Sequence, residues 1–215
     1  MKTCISPLAL ALFILTVITA AAGLVLVPAG TRLPVHWGPS GAADAFASRE
    51  VALAMPVAIM LGLWAIVIAV ERFAPRVQVE RSRAMNGAAL TMLSAIFLCI
   101  AVVTVLTGMG VAVDMVRALA IGVGLLLVVL GNAMPKSQPN SFAGIRTRAT
   151  LADPAIWQKT HRLTGLLTMI GGAILVVAAL LLPVTVLIWV LLACAIVPIA
   201  TGVIYSHRLA RRHAS

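Results

Sequence analysis

Residues 130–164 read LGNAMPKSQPNSFAGIRTRATLADPAIWQKTHRLT and form the longest polar passage in a chain that is otherwise mostly apolar. The passage carries five of the sixteen Lys and Arg residues. The apolar segments on either side are long enough to cross a bilayer, which takes about 20 residues of helix. We therefore interpret residues 130–164 as the main cytoplasmic surface of a membrane protein.

The composition is that of an integral membrane protein. Hydrophobic residues make up 62% of the 215 residues, charged residues make up 10%, and the mean hydropathy is +1.11. A soluble domain of this size would expose far too much apolar surface. We expect a single integral membrane domain over residues 1–215, with a four-helix N-terminal part (1–129) and a two-helix C-terminal part (130–215).

Six apolar segments predict six transmembrane helices and an all-α polytopic fold. Each run is long and lacks the alternation of a membrane β-barrel, so helices are the expected spanning structure. Near the end of the first segment, Thr19–Gly23 resembles a signal-peptidase site, but the run is long for a signal peptide and we expect it to be retained. The predicted spans are about 7–27, 51–70, 88–107, 115–131, 163–183 and 184–205.

The distribution of Lys and Arg predicts the orientation. Thirteen of them, from Lys2 to the C-terminal arginines, fall at the ends and loops that share one side of the membrane, including residues 71–87 and 130–164. Three fall on the other side. The positive-inside rule then places both termini in the cytoplasm, with the basic loops against anionic lipid.

The net charge of +10 does not indicate nucleic-acid binding. The basic residues are spread over several short loops with almost no aromatic residues between them.

The three cysteines, Cys4, Cys99 and Cys194, are odd in number and form no C-x-x-C motif, so neither a disulfide framework nor a zinc site is indicated.

The one substantial outer loop covers residues 28–50 and contains His36, Trp37, Gly41 and Asp44. Two interpretations stand side by side. In the first, which we favour from this loop alone, Trp37 lies at the headgroup boundary, His36 is exposed to solvent and Asp44 caps a short helix. In the second, His36 and Asp44 contact a ligand or pair with each other.

Within residues 130–164, the pair Asp153-Pro154 predicts the start of a helix, with a carboxylate cap followed by a proline at the first helical position. From there Trp157, His161 and Gly165 follow at intervals of four and lie on one face. The alternative is a juxtamembrane helix whose Trp lies at the interface and whose His only reaches toward water.

Small residues continue along the same helix, where Gly165, Thr168 and Gly172 predict close contact with another helix. Upstream, Met134-Pro135 is expected to end the fourth helix, with Asn132 bonding free carbonyls there. At the other face, Asp114 is expected to cap the fourth helix and to offset Arg117.

Catalysis and transport are poorly supported by the residues. None of the six carboxylates lies in mid-span, and no two of them form an acid–base pair. Catalytic, zinc-binding and P-loop motifs are absent, and we expect no cofactor and no metal. Transporters usually carry ionisable groups within their spans. A membrane enzyme and a small-molecule or lipid transporter that uses residues 130–164 remain the alternatives.

Two sets of residues form recognisable motifs. The inner set is Gly131, Asn132, Met134, Pro135, Lys136, Asn140, Gly144, Ile145, Arg146, Thr147, Trp157, Thr160, His161, Arg162 and Gly165, and the outer set is Leu33, Pro34, His36, Trp37, Gly41 and Asp44. Both sets resemble the SdpI family of bacterial membrane immunity and signal-transduction proteins. The inner set carries the more specific motifs, and the outer set resembles a Pro–His–aromatic–Gly–Asp motif of the family's N-terminal part. After Arg146-Thr147 the family usually has Pro-Trp-Thr, whereas this chain has Arg148-Ala149-Thr150 and lacks that aromatic residue.

The resemblance implies a multi-pass protein of the bacterial cytoplasmic membrane that protects its host from a secreted, membrane-active peptide toxin. In some relatives it also draws a cytosolic repressor to the membrane. The outer residues Pro34, His36, Trp37, Gly41 and Asp44 would then contact the toxin. The inner residues with a partner-binding or structural role would be Asn132, Pro135, Lys136, Asn140, Gly144, Arg146, Thr147, Trp157 and His161.

Overall fold

The computed structural model describes residues 3–38 and 40–214, the last three of these by their backbone only. Lys2, which entered the charge count, lies outside the described residues. Six helices are long and apolar enough to cross a membrane, as predicted, and the protein is an all-α polytopic membrane protein. The elements are α1 (Pro7–Leu26), β1 (Arg32–Trp37), β2 (Ala43–Ser48), α2 (Arg49–Phe73), α3 (Arg76–Gly108), α4 (Met115–Ala133), α5 (Arg148–Ala152), α6 (Pro154–Leu181) and α7 (Val184–Ala214).

The basic segment 71–87 was predicted to be a loop, and this is wrong. Helix α2 continues to Phe73, and α3 begins at Arg76 after a two-residue turn. Helix α3 is 33 residues long, so at about 1.5 Å per residue it is about 50 Å long and extends well beyond the hydrocarbon. Hydropathy marks where the chain leaves the bilayer. A helix makes its backbone hydrogen bonds internally, in water as well as in lipid, so it can continue beyond the membrane until a residue such as proline ends it.

The six long helices pack in two groups of three. Helices α1, α2 and α3 form one group, α4, α6 and α7 form the other, and contact between α3 and α4 joins the groups. One end of the bundle holds the β1–β2 hairpin with the α3–α4 and α6–α7 turns, and we call it the hairpin end. The opposite end holds residues 137–153, the start of α1 and the end of α7, and we call it the loop end.

Glycines allow α4 and α6 to pack backbone against backbone. A Cβ added to Gly131 would lie 2.5 Å from the carbonyl oxygen of Gly165, and one added to Gly124 would lie 2.9 Å from that of Gly172. The two pairs are seven residues apart on both helices, which is two turns. The small-residue stripe predicted on this helix is therefore confirmed as a helix-packing surface.

Arginines bond the ends of helices at the hairpin end. The guanidinium group of Arg49 donates to the carbonyl oxygens of Leu24 and Val27 at 3.1 and 2.8 Å, at the end of α1. That of Arg117 donates to the Ala179 carbonyl in the last turns of α6. Asp114 caps α4 through the Arg117 N–H at 2.9 Å, as predicted. These guanidinium groups donate hydrogen bonds to carbonyl oxygens that have no partner within their own helix.

Candidate functional site

The outer loop folds as an antiparallel β-hairpin. His36 pairs with Ala45 and Trp37 with Ala43, so Asp44 is the extra residue of a β-bulge. Its carboxylate Oδ1 lies 2.6 Å from Nδ1 of His36. The predicted role of Asp44 as a helix cap is wrong, because α2 is capped by Ser48 instead. The alternative, pairing of His36 with Asp44, is what the structure shows.

The hairpin is anchored to both helix groups. Leu33 is 1% exposed and packs with Val27, Leu53 and Val105 in the core of the first group. At the turn, Gly41 has a φ of +82° and lies so close to Val184 at the start of α7 that a side chain would have no room. The hairpin thus bridges the gap between the two groups.

A cavity of about 640 Å³ lies beneath this bridge. Its walls come from α2, α3, α4 and α7, and Pro34, His36 and Trp37 of β1 line its mouth. The cavity separates the two cores, since Ala52 on one side belongs to the core of the first group and Ala120 on the other belongs to that of the second.

Three of the five outer-loop residues predicted from sequence therefore line one cavity, and the other two position them. Gly41 holds the hairpin turn against α7, and Asp44 holds the imidazole of His36. His36 and Asp44 keep 69% and 52% of their side-chain surface exposed, so the pair is accessible to a ligand at the hairpin end. Sequence reasoning missed the helical walls, including Pro56, because their apolar residues look like any other membrane-facing surface.

At the loop end, His161 connects residues 137–147 to α6. It is fully buried, its Nδ1 lies 2.9 Å from the Trp157 carbonyl oxygen, and its Nε2 lies 3.0 Å from the backbone nitrogen of Ile145. Nε2 must offer a lone pair to the Ile145 N–H, so the ring is neutral and carries its proton on Nδ1. Trp157 stacks on this ring with centroids 4.0 Å apart.

Trp157 is also fully buried, and its indole N–H donates to the Ser137 carbonyl oxygen at 3.1 Å. The common face predicted for Trp157, His161 and Gly165 is confirmed. The alternative of an interfacial Trp and a His that reaches toward water is wrong. Residues 137–147 pack over this face. The periodicity of the helix predicts the face itself but not which segment packs on it.

Gly144 and Asn140 shape the covering segment. Gly144 has a φ of +104°, and a Cβ there would collide with Nε2 of His161. Asn140 is 1% exposed, and its Oδ1 accepts the N–H groups of Phe142 and Ala143 at 2.9 and 2.8 Å. Both residues make the sharp turn that brings Ile145 to the imidazole.

Thr147 connects the same segment to α7. It caps α5 in a reciprocal capping box with Thr150, and its hydroxyl lies 3.1 Å from that of Ser206 in α7. Thr150 also donates to the Ile145 carbonyl at 2.7 Å. Arg148 and Ala149, where the chain departs from the family pattern, form the first turn of α5 without disturbing these bonds.

The remaining inner residues differ in exposure. Pro135 ends the helix as predicted, within a 3-10 turn at Met134–Lys136, and its carbonyl accepts from Gln158 at 3.0 Å. Asn132 is exposed, and its predicted role in bonding free carbonyls is wrong, because Ser137 bonds the Met134 carbonyl through its N–H and its hydroxyl.

The cationic side chains of residues 130–164 point outward. All five cations of residues 130–164 are exposed, and we call them the inner cationic surface: Lys136, Arg146, Arg148, Lys159 and Arg162. The guanidinium group of Arg146 also donates to the Ser141 carbonyl, which holds it against residues 137–147.

Contacts from α3 position the same segment, and no sequence pattern indicated these contacts. Gln78 accepts the Ser141 N–H at 3.0 Å, and Arg81 donates to the Pro139 carbonyl at 3.3 Å. For an enzyme that uses residues 130–164, we expect a polar cavity that joins Asn140, Arg146 and His161. Asn140 and His161 instead bond the backbone around them, and Arg146 faces outward. Among the described residues, no group of three or more His, Cys, Asp or Glu could hold a metal ion.

Comparison with known proteins matches two segments of the chain to two family models. Residues 136–206 match the SdpI/YfhL protein family, and residues 11–61 match a domain of unknown function, DUF1648. The Immunity protein SdpI of Bacillus subtilis (strain 168) is 31% identical over 74 residues, which is 34% of this chain and 36% of that protein. The match thus spans about a third of the relative's length. No solved structure matches the chain.

Proposed function

We propose that the chain, whose residues 136–206 match the SdpI/YfhL family model, is a membrane immunity protein that protects its cell from a secreted antimicrobial peptide. The observation that carries the proposal is the 31% identity with an immunity protein. The similarity to an immunity protein points to a non-enzymatic role. The bacterial cytoplasmic membrane is the location that this function requires.

The toxin contact that we propose lies at the hairpin end. His36 presents an exposed imidazole at the mouth of an apolar cavity, and Asp44 fixes the orientation of the ring through Nδ1. An exposed polar group beside an apolar opening suits a peptide that is itself amphipathic. Trp37 and Pro34 complete the mouth with rigid apolar surface.

The cytosolic contact that we propose lies at the inner cationic surface. Arg146 and Arg148 project from a segment that is bonded to α3, α6 and α7, and Lys159 and Arg162 project from α6 itself. A change in helix packing would therefore move these side chains together. An acidic surface on a cytosolic repressor would complement this charge. Sensing then requires two helix packings whose balance the toxin shifts.

Toxin challenge tests the proposal. The chain is expressed in bacteria that lack their own immunity protein, and the cells are exposed to the sporulation-delaying peptide toxin. We expect survival to rise with expression of the chain and to fall again for the His36→Ala variant. The matched control is His207→Ala, because His207 is an exposed histidine at the loop end. Equal killing with and without the chain would refute protection against this toxin.

The repressor contact has a separate test. A fluorescent fusion of the repressor of the same toxin system should move from the cytosol to the membrane when toxin is added to cells that express the chain. We expect Arg146→Ala to weaken this recruitment while Arg72→Ala, at an exposed arginine at the end of α2, leaves it unchanged. A repressor that stays cytosolic in every case would limit the function to protection.

A further inference from the structure

The cavity at the hairpin end has a second property that the immunity proposal does not use: it is open toward the membrane. Ile59 of α2 and Ile188 of α7 line it and are 45% and 38% exposed. Both residues lie within membrane-spanning helices, so their exposed surface meets lipid hydrocarbon. Helix α2 packs on α1 and α3, and α7 packs on α6 and α4. The gap between α2 and α7 therefore gives lipid chains access from the side.

The depth of the cavity corresponds to one leaflet. Its lining reaches Phe97 on α3, which lies eleven residues from the end of that helix at Gly108. At about 1.5 Å per residue this is about 16 Å, close to half of the roughly 30 Å of hydrocarbon in a bilayer. At the mouth, Trp37 and His36 have the mixed apolar and polar character typical of the headgroup level.

The lining selects an occupant without polar groups. Among the described lining residues below the hairpin, Thr104 carries the one hydroxyl group, and it already donates to the Ile100 carbonyl at 2.8 Å. Water would find too few partners in such a cavity. An extended peptide would bring N–H and C=O groups that nothing there could satisfy.

From the opening, the depth and the lining together, we propose that the cavity binds one acyl chain of a bilayer lipid from the leaflet at the hairpin end. The chain fills the space between the cores of the two helix groups, and the headgroup lies beside Trp37. The site does not depend on the immunity function, so either proposal can fail without the other.

Photo-crosslinking tests this site. The full-length protein is placed in phosphatidylcholine vesicles that contain a small fraction of phosphatidylcholine with a diazirine in mid-chain, and labelled residues are mapped by mass spectrometry. We expect labelling of Leu119 and Phe97, which line the cavity and are only partly exposed. Outward-facing residues such as Ile66 will also be labelled by surrounding lipid and serve as the internal reference.

A matched pair of variants separates the cavity from the outer surface. Val123→Trp fills the cavity, whereas Leu125→Trp adds the same side chain to an outward-facing position on the same helix. We expect Val123→Trp to lower the labelling of Leu119, relative to Ile66, by about tenfold, and Leu125→Trp to leave it unchanged.

Three results would overturn the proposal. The first is labelling confined to outward-facing residues. The second is equal labelling of Leu119 in the two variants. The third is rapid reaction of a Leu119→Cys variant, made without the native cysteines, with a water-soluble maleimide, since that would show a water-filled cavity. If lipid labelling occurs without the toxin peptide and disappears only when a helical toxin peptide is bound, the result still supports the lipid site.

Discussion

The imidazole of His161 accepts the backbone N–H of Ile145 at 3.0 Å, so a buried side chain of a membrane helix bonds the backbone of the polar segment that covers it. The same ring stacks on Trp157 and leaves no room for a Cβ at Gly144. His161, Trp157 and the turn at Gly144 thus form one packed unit at the loop end.

Gly144→Ala should destabilise the protein for two reasons. The φ of +104° is unfavourable for any residue with a Cβ, at a cost of about 1–3 kcal/mol, and the new methyl group would collide with His161. Thermal unfolding in detergent measures the loss. The control is Gly110→Ala, because Gly110 has a φ of +84° and no neighbouring atoms within 4 Å. Equal effects of the two substitutions would show that the contact with His161 does not matter.

His161→Phe should keep the ring stacked on Trp157 but remove both of its hydrogen bonds. The Ile145 N–H would then be buried without an acceptor, at a cost of about 1–3 kcal/mol. Hydrogen exchange should show faster exchange at Ile145 in the variant than in the parent. His207→Phe, at an exposed position, should leave that exchange rate unchanged. Unaltered protection of Ile145 in His161→Phe would contradict the assigned bond.

Gly165→Leu should separate α4 from α6. Its side chain would meet the carbonyl oxygen of Gly131, and overpacking of this kind costs about 1–3 kcal/mol or more. The melting temperature in detergent and the yield of monodisperse protein report the effect. Gly62→Leu is the matched control, because Gly62 is an exposed helical glycine of α2 with open space around it. Similar melting temperatures for the two variants would argue against the glycine contact.

The His36–Asp44 pair should contribute little to stability despite its 2.6 Å distance. Both side chains are more than half exposed, and exposed ion pairs contribute about 0–1 kcal/mol. His36→Ala and Asp44→Asn should therefore unfold near the parent's melting temperature. If they also lose protection in the toxin challenge, the pair acts in binding. A large drop in melting temperature would assign it a structural role instead.

Cys4 should react slowly with alkylating agents. Burial, together with the neighbouring Glu71 carboxylate, raises the pKa of its thiol to about 12. The folded state therefore holds the proton between about pH 9 and 12 while an unfolded chain releases it, so this contribution to stability is lost as the pH rises through that range. At pH 8, alkylation should be about a thousandfold slower in the folded than in the unfolded protein. Equal rates would contradict the burial of Cys4.

Sequence alone determined the six spans, the caps at Asp114 and Asp153 and the common face of Trp157, His161 and Gly165. These features depend on residues that are close together in the chain. The bilayer thickness sets the length of each span, and the helical repeat sets which residues share a face. The end of α2 and the start of α3 could not be predicted from hydropathy, because a helix does not end where the membrane ends.

Only the tertiary structure decided what each predicted face meets. The pairing of His36 with Asp44 depends on the register and the bulge of the hairpin, and burial of His161 depends on the turn at Gly144. The cavity depends on how far apart the two helix groups lie. Contacts between distant segments follow from packing in three dimensions, and the apolar residues on both sides of such a contact look the same in sequence as residues that face lipid.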